Sequence, residues 1–391
     1  MMYANDDNLQ NPVFDPSGIC SKRCSLMTPA KLEENPVSTL LATRKLIVGA
    51  GGAAWWILEG FKRNNIEIEG FLVSESRWAK DSVCGLPVWH PENWNQLSGD
   101  KSEFVAILGI MNPQIDMARL EQDLKAHGWS NIISFSDFAK GLLSQSNINC
   151  GMLNPSELFS DLDSINKARK LLSDEKSIKI YDSTFEYVKL LDDQVLTEID
   201  EDPYFPKDLP RLPAKLRMLD LGAFNGDTVK QAIAHDYELE AVICFEPDPK
   251  TFLSLVKGVD GEKNILCLPL GVSDKTEAKY FNNSGDTGNR VIDFGGERVQ
   301  CISIDDLCAG FMPNFIKMDI EGSEFDALAG AKYTIEKSRP NLAISVYHTS
   351  KDIWRIPILI DSLLKGKAKY FLRRHSRTVA DTVLYVFPKQ N

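Results

Sequence analysis

The chain has 391 residues, of which 43% are hydrophobic and 25% are charged, within the range of soluble globular proteins. A chain of this length is expected to form about two domains, each with a core of its own. The net charge of −11 disfavours a nucleic-acid partner, because an acidic surface repels the phosphate backbone. The sequence shows neither a signal peptide nor an apolar run of about 18 residues, so we expect no membrane span.

The eight cysteines are scattered along the chain, and several lie in apolar segments, as reduced thiols do in cytoplasmic proteins. We therefore predict a cytoplasmic protein. Cys20 and Cys24 are the closest pair, and no second pair at zinc spacing follows, so a zinc site is not expected there. A homo-oligomer remains open.

Three segments of different character precede the second half of the chain. Residues 1–43 are polar and contain several prolines, which predicts a flexible arm. Strand-like and helix-like segments alternate over residues 44–143, which predicts a small parallel sheet with crossover helices. Residues 144–215 are interpreted as a helical connector, with helices near 155–173 and 182–200 and a proline-rich end.

A second α/β pattern occupies residues 216–391. The last two of its strands are separated by a short loop, so we expect them to pair antiparallel. The basic run at 373–377 lies at the end of the sixth strand, and we expect it to form a solvated or substrate-facing edge. The seven candidate strands are Arg217–Leu221, Ala241–Glu246, Ile265–Leu270, Phe315–Asp319, Leu342–Tyr347, Tyr370–Arg374 and Thr382–Phe387.

Residues suited to a nucleoside follow the first two of these strands. Gly222 and Gly226 allow the backbone to approach a ligand closely. Glu246 ends the second strand, about 20 residues further on, where an acid holds a ribose diol. The turn opens with Asp220, which would repel a pyrophosphate but can pair with an ammonium group. These features favour S-adenosylmethionine over a dinucleotide.

Further motifs occur in order along residues 200–388. They are YFP at 204–206, DLGA at 220–223, FEPD at 245–248, SIDDL at 303–307, FIKMDIEGSE at 315–324, ISVYH at 344–348 and LRRH at 372–375. Together they closely resemble the FkbM family of methyltransferases.

The resemblance implies a class I methyltransferase sheet of seven strands, with the last strand antiparallel. It also implies S-adenosylmethionine as the methyl donor. The acceptor would usually be a hydroxyl oxygen, and family members typically act on sugars, glycans or other small natural products. We therefore expect O-methylation of a sugar, a nucleotide-sugar or a glycan. The residues that would hold the donor are Asp220, Gly222, Asn225, Gly226, Glu246, Asp248, Gly271 and Val272.

The enzyme must position the acceptor hydroxyl and remove its proton, so catalytic groups are expected at the carboxyl ends of strands four to six. Asp319 ends the fourth strand and His348 the fifth. We predict that one of them is the general base and that the other orients the base or the substrate. Glu321 and His375 are tentative substrate residues.

Other roles stay open for these residues. Asp319 could contact the donor amine or cap a helix, and His348 could be a structural hydrogen-bonding group. No clear set of metal ligands is found, so we predict no metal. A divalent ion held by Asp319 and neighbouring acids, which would acidify the hydroxyl, is the alternative.

The N-terminal unit has a glycine turn of its own. Gly49, Gly51 and Gly52 follow a strand and precede a helix-like segment, the context of a nucleotide loop. With CGLPV at 84–88, the turn makes residues 44–140 resemble the small Rossmann-like domain that precedes some nucleotide-sugar acetyltransferases. The resemblance implies that the three glycines contact a nucleotide-sugar or glycan. A packing or dimerisation module is the alternative.

Three other functions remain open. A methyltransferase for a non-sugar metabolite would have an N-terminal crevice that binds no nucleotide. A non-catalytic scaffold is disfavoured because the glycines and acids of the donor site are intact. A nicotinamide oxidoreductase is disfavoured because no Tyr-x-x-x-Lys set lies near the N-terminal turn.

Overall fold

The computed structural model describes residues 44–50, 58, 61, 66–73, 81–83, 85–97, 99–110, 115, 117–134, 155–190, 193–282, 290–292, 297–308 and 310–389. The predicted N-terminal arm, residues 1–43, lies outside the described residues.

The strands are β1 Arg44–Val48, β2 Gly70–Leu72, β3 Ser82–Val83, β4 Leu86–Trp89, β5 Phe104–Leu108, β6 Asn131–Ile133, β7 Lys215–Leu221, β8 Glu238–Phe245, β9 Ile265–Leu268, β10 Gly271–Val272, β11 Glu277–Asn282, β12 Arg290–Ile292, β13 Glu297–Ile302, β14 Phe315–Met318, β15 Asn341–Ser345, β16 Ala368–Arg374 and β17 Thr382–Pro388. The α-helices are α1 Met117–Ala126, α2 Pro155–Leu158, α3 Leu162–Leu171, α4 Glu175–Leu190, α5 Asp227–Ala234, α6 Pro249–Gly258, α7 Ile304–Cys308, α8 Glu324–Ala329, α9 Lys332–Ser338 and α10 Asp352–Leu364. Short 3-10 helices lie at Pro91–Gln96, Lys101–Glu103 and Asp193–Val195.

The N-terminal sheet has the order β3-β4-β2-β1-β5-β6, and only the β3–β4 pair is antiparallel. The central strands β1 and β5 are almost wholly buried, as in parallel sheets that are covered on both faces. The predicted small parallel sheet is therefore confirmed. The chain order reverses between β1 and β5, and ligands of open α/β sheets bind at such a point, beyond the carboxyl ends of the strands.

The C-terminal sheet has the order β16-β17-β15-β14-β7-β8-β9. Strand β17 pairs antiparallel with both β15 and β16, and the other pairs are parallel. This is the predicted seven-stranded sheet with its antiparallel last strand, and each of the seven candidate strands is present. The order reverses between β7 and β14, so the carboxyl ends of these two strands form the expected site for a ligand.

A third sheet, of the order β10-β13-β11-β12, lies between β9 and β14 in the chain. The sequence analysis assigned no strand to β11, β12 or β13. These strands carry many charged and polar residues, as in EAKYFN and ERVQCI. A half-exposed strand of this kind gives a weak hydrophobic pattern, which explains why it was missed.

The helices of the predicted connector pack on the C-terminal sheet. Tyr181 and Phe185 of α4 are buried in the same apolar core as Ile316 of β14. Helix α4 begins well before the predicted residue 182, because Asp174 accepts a hydrogen bond from the Ser177 amide at 2.7 Å and so starts the helix early. The predicted domain boundaries stay predictions.

The basic run at the end of β16 is buried except for Arg377, which is exposed. Arg373 is 1% exposed and Arg374 is 0% exposed, because α4 covers this edge strand. Arg373 pairs with Asp174 at 2.7 Å and with Asp208 at 3.0 Å. Arg374 donates to the Ile180 carbonyl oxygen of α4 at 3.1 Å. The expectation of a solvated or substrate-facing edge is therefore wrong.

The expectations of no membrane span and of reduced cysteines can be compared with the described part of the chain. None of its helices is long and apolar enough to cross a membrane. The cysteines described there are free: Cys244, Cys267, Cys301 and Cys308.

Candidate active site

A cleft with about 440 Å³ of empty space opens at the carboxyl ends of β7, β8 and β14. This is the edge at which the order of the strands reverses. The residues of its wall that the sequence had singled out are Gly222, Glu246, Gly271, Val272, Asp319 and Glu321. The first four are predicted donor residues, and the last two are a predicted catalytic and a predicted substrate residue.

The turn after β7 depends on Gly222, whose φ is +79°. A Cβ atom at this position would lie 1.9 Å from the Asp319 carbonyl oxygen, so no other residue fits without movement of the backbone. The amides of Gly222 and Ala223 both donate to the Phe245 carbonyl oxygen at 3.0 Å. The turn therefore lies directly against the ends of β8 and β14.

Glu246 lies at the end of β8 and is 7% exposed. Its two carboxylate oxygens accept hydrogen bonds from the Phe224 amide at 3.1 Å and the Asp248 amide at 3.0 Å. Burial raises the pKa of Glu246 to about 7, against the effect of these two amides. Asp248 caps α6 by accepting from the Thr251 amide at 2.7 Å, which gives it a structural role.

Asp220 is fully buried beneath the turn and does not line the cleft. Its carboxylate lies 3.3 Å from Nζ of Lys317, which also donates to the Gly222 carbonyl oxygen. Burial raises the pKa of Asp220 to about 6, although Lys317 acts in the opposite direction. Two more predicted donor residues, Asn225 and Gly226, lie against the end of α6 and its following loop rather than in the cleft wall.

Asp319 directly follows β14, and its carboxylate accepts hydrogen bonds from two tyrosine hydroxyls. Tyr204 donates to Oδ2 at 2.7 Å, and Tyr347 donates to Oδ1 at 3.3 Å. Burial raises the pKa of Asp319, but nearby His348 and Lys317 and the Tyr204 hydroxyl outweigh it and leave this pKa below its usual value. Asp319 is therefore a stabilised carboxylate and a weak base.

His348 follows β15, and its side chain is 5% exposed. Nδ1 lies 2.8 Å from Glu324 Oε1, while Nε2 lies 3.4 Å from Asp319 Oδ1 and 3.5 Å from Glu321 Oε2. Burial lowers the pKa of His348, but the three carboxylates raise it to about 10. The carboxylates therefore favour the protonated imidazole over the neutral ring that a general base requires.

The turn after β14 brings two acids towards His348. Glu321 has a φ of +55°, a conformation that costs free energy in a non-glycine residue and is often found at functional sites. Its side chain is 34% exposed, and desolvation raises its pKa to about 8. Glu324 is fully buried and accepts from the Ile320 amide at 2.8 Å, so it fixes both the turn and the imidazole.

Some residues near the site were not singled out from the sequence as part of it. Tyr204 lies in the YFP lead-in, and that motif was its only signal. Tyr347 and Lys317 occur within motifs, but their directions within the sheet could not be inferred. Asp381 lies in the loop before β17, where burial and nearby Asp319 raise its pKa to about 6. A buried loop acid has no periodic pattern that could reveal it.

Other predicted residues are not brought to this cleft. His375 is 7% exposed, and its Nδ1 and Nε2 lie 2.9 Å from the Asp200 carbonyl oxygen and the Tyr385 hydroxyl. Both ring nitrogens are thus committed within the protein. Gly49 follows β1 of the other sheet with a φ of +96°. Gly51 and Gly52 lie outside the described residues.

The geometry can be compared with known proteins at this point. Residues 220–372 match the model of the methyltransferase FkbM domain. The chain carries an FkbM methyltransferase domain. The matched residues include the glycine turn, Glu246, Asp319 and His348, and the match supports S-adenosylmethionine-dependent methylation by this domain.

A crystal structure of methyltransferase FkbM from Methylobacillus flagellatus KT has the same fold. It shares 21% sequence identity with this chain at a TM-score of 0.62, and the likeness covers 95% of this chain and 100% of the other. Aeropyrum pernix fibrillarin, crystallised with natively bound S-adenosyl-L-methionine, is 14% identical at a TM-score of 0.30, with coverage of 46% and 70%. The latter similarity is too weak to carry an argument. No curated protein sequence matches the chain.

Proposed function

We propose that the FkbM domain transfers a methyl group to a hydroxyl oxygen of a sugar, a nucleotide-sugar or a glycan. The observation that carries this proposal is the shared cleft. Glu246 and Gly271 lie on the side of β8, and Asp319 and Glu321 lie on the side of β14. The same cleft therefore contains a carboxylate that can bind the ribose of the methyl donor and two acids that can contact the hydroxyl of the acceptor.

The residues on the β8 side fit S-adenosylmethionine, which supplies an electrophilic methyl group on its sulfonium. The Glu246 carboxylate is oriented by two backbone amides, and the lone pairs that remain can accept from a ribose diol. Gly271 and Val272 form the wall where the adenine would lie. Asp220 would act on the methionyl end through Lys317 and the Gly222 carbonyl, because its own carboxylate is buried.

The acids on the β14 side would orient and deprotonate the acceptor. Asp319 is held by two tyrosine hydroxyls, so we assign it to accept a hydrogen bond from the acceptor hydroxyl and to position it. Glu321 contacts His348 at 3.5 Å and is partly exposed to the cleft. We assign the removal of the proton to Glu321, whose ionised form predominates above its pKa of about 8. His348, which is enclosed by carboxylates, would keep its proton to a higher pH. Exclusion of water by the cleft would strengthen these contacts.

The N-terminal sheet would hold the nucleotide of a nucleotide-sugar. Gly49 lies where the strand order reverses, and the Gly109 amide donates to the Val48 carbonyl oxygen at 2.8 Å across the ends of β1 and β5. Such an edge is the usual ligand site of an open α/β sheet. With the resemblance to nucleotide-sugar acetyltransferases, this position supports a sugar acceptor.

Isothermal titration of the full chain tests the proposal. S-adenosylhomocysteine should bind in the micromolar range, and UDP-sugars or GDP-sugars should give a second, independent signal. Sugars that bind should then accept a labelled methyl group from S-adenosylmethionine. Glu321→Gln should slow this transfer and leave the dissociation constant of S-adenosylhomocysteine unchanged. Absence of S-adenosylhomocysteine binding would contradict the donor assignment. Absence of a nucleotide-sugar signal would contradict the assignment of a nucleotide to the N-terminal sheet and leave a free sugar or a glycan as the acceptor.

A further inference from the structure

Three side chains with metal-binding atoms meet beside the cleft. One ring nitrogen of His348 and one carboxylate oxygen each from Asp319 and Glu324 lie within 4.8 Å of one another. Ligands that share one divalent cation, with bonds of about 2.0–2.2 Å, are up to about 4.4 Å apart when they lie on opposite sides. The three groups thus need only small movements to bind one cation.

Two buried atoms of this group lack a hydrogen-bond partner. They are Nε2 of His348 and Oε2 of Glu324, and the side chains are 5% and 0% exposed. Nε2 points between Asp319 and Glu321, at distances of 3.4 Å and 3.5 Å that exceed a normal hydrogen bond. A buried polar atom without a partner costs free energy, and such atoms are rare in folded proteins. These two atoms therefore point to a ligand.

The charges around His348 favour a cation at the same place. Asp319, Glu321 and Glu324 all contact its ring, and Asp381 lies close enough to interact with both His348 and Asp319. The neighbouring Lys317 is engaged with Asp220 and the Gly222 carbonyl. Four carboxylates thus surround one imidazole in a poorly hydrated space, where a divalent cation would be strongly attracted.

We propose that Asp319, Glu324 and His348 bind a divalent transition-metal cation of the Mn²⁺ type, which holds the acceptor hydroxyl next to the methyl donor. One imidazole nitrogen with carboxylate oxygens is a ligand set that suits such cations. Asp319 belongs to the wall of the donor cleft, so the cation lies at the position where an acceptor would enter. The inference rests on the proposed function.

The chemistry follows from the neighbours of the site. A divalent cation lowers the pKa of an oxygen bound to it. The O–H bond of the bound hydroxyl breaks, and its proton passes to the ionised Glu321 carboxylate. The electron pair left on the oxygen forms the bond to the methyl carbon, while the bond from that carbon to the donor sulfur breaks and its electron pair stays on the sulfur, which gives S-adenosylhomocysteine. Glu321 is placed for this step because its Oε2 lies 3.5 Å from Nε2 of His348.

Titration of the full chain with Mn²⁺ tests the inference and needs no acceptor. The electron paramagnetic resonance signal of the free ion measures how much Mn²⁺ remains unbound. The wild type should bind one Mn²⁺ per chain. Glu324→Gln should weaken binding about 10-fold or more, as losses of metal-site groups do. Asp326→Asn is the matched control, because Asp326 is an exposed acid of the same helix, α8. It should bind Mn²⁺ as the wild type does.

Asp319→Asn provides a second variant in case Glu324→Gln does not fold, and circular dichroism checks each fold. S-adenosylhomocysteine titration of the same samples separates the two proposals. Wild type that binds S-adenosylhomocysteine but no Mn²⁺ would overturn the cation site and leave the methyltransferase assignment intact. Equal Mn²⁺ affinity in the wild type and both folded variants would also overturn it. Mn²⁺ binding without S-adenosylhomocysteine binding would support the site and contradict the donor assignment.

Discussion

Tyr204 donates a hydrogen bond from its phenol to Oδ2 of Asp319 at 2.7 Å, although 115 residues separate the two in the chain. The backbone of Tyr204 is held in turn by the Tyr385 hydroxyl, which accepts from its amide at 2.8 Å. The segment before the C-terminal sheet thus supplies part of the support for the acidic site. Hydrogen bonds to an ionised carboxylate are stronger than those between neutral groups.

Tyr204→Phe removes this donor and should lower the free energy of unfolding at pH 7. We expect a loss of about 2 kcal/mol, because the buried Asp319 carboxylate would lose a hydrogen bond to a charged group. Urea unfolding at neutral pH measures the effect. Tyr333→Phe is the control, since Tyr333 is 55% exposed, and it should be unchanged. Equal stability of the wild type and both variants would show that the bond contributes nothing.

Binding of S-adenosylhomocysteine should depend on the ionisation of Glu246. Burial raises the pKa of this group to about 7, so the free carboxyl takes up a proton as the pH falls through that value. The protonated acid loses acceptor capacity for the ribose hydroxyls. Between pH 8 and pH 6 the affinity should therefore fall about 10-fold, from the linkage of one proton to binding.

Calorimetry at several pH values measures this dependence. Glu246→Gln cannot ionise, so its weaker binding should vary little with pH. An affinity in the wild type that is constant from pH 6 to pH 8, or that rises as the pH is lowered, would be incompatible with a ribose-binding carboxylate at this position.

Gly222→Ala should destabilise the fold more than a substitution at a comparable glycine. Gly222 and Gly261 have φ values of +79° and +87°, so alanine is strained at both. The backbone term should cost about 1–2 kcal/mol at each position. At Gly222 the new methyl group would lie 1.9 Å from the Asp319 carbonyl oxygen, whereas at Gly261 no atom lies within 4 Å.

Urea unfolding of both variants separates these two contributions. The loss in Gly222→Ala should exceed that in Gly261→Ala by about 2 kcal/mol or more, as expected for overpacking against the backbone. Binding of S-adenosylhomocysteine should also weaken only in the first variant. Similar losses of stability in the two variants would mean that the close contact between the turn after β7 and the end of β14 does not require glycine at position 222.

Arg373→Ala should destabilise the protein because Asp174 and Asp208 would lose their common partner. Both acids are partly exposed, at 31% and 41%, so water compensates for part of the loss, and we expect about 2 kcal/mol. Lys369→Ala on the same strand is exposed and should change stability by less than about 0.5 kcal/mol. Thermal unfolding measures the stability of both variants. Equal shifts of the two unfolding midpoints would contradict a stabilising role for the ion pairs of Arg373.

The sequence by itself determined the seven strands of the C-terminal sheet and the turn at Gly222. These features depend on local patterns: a buried strand gives an apolar run, and a positive φ calls for glycine. It also placed Glu246 and Asp319 at the same edge of the sheet, because parallel strands end on one side. The small sheet between β9 and β14 was missed because half-exposed strands have no such pattern.

Only the tertiary structure decided which of these groups contact one another. The local sequence favoured an exposed Arg373, yet α4 covers it, and His375 is used to hold Tyr385. Tyr204 and Asp381 come from distant loops and approach Asp319 only in the folded chain. The proton affinity of His348 is set by three carboxylates and by exclusion of water, and neither quantity is encoded in its immediate sequence. Charge and desolvation depend on through-space distances, which the fold alone establishes.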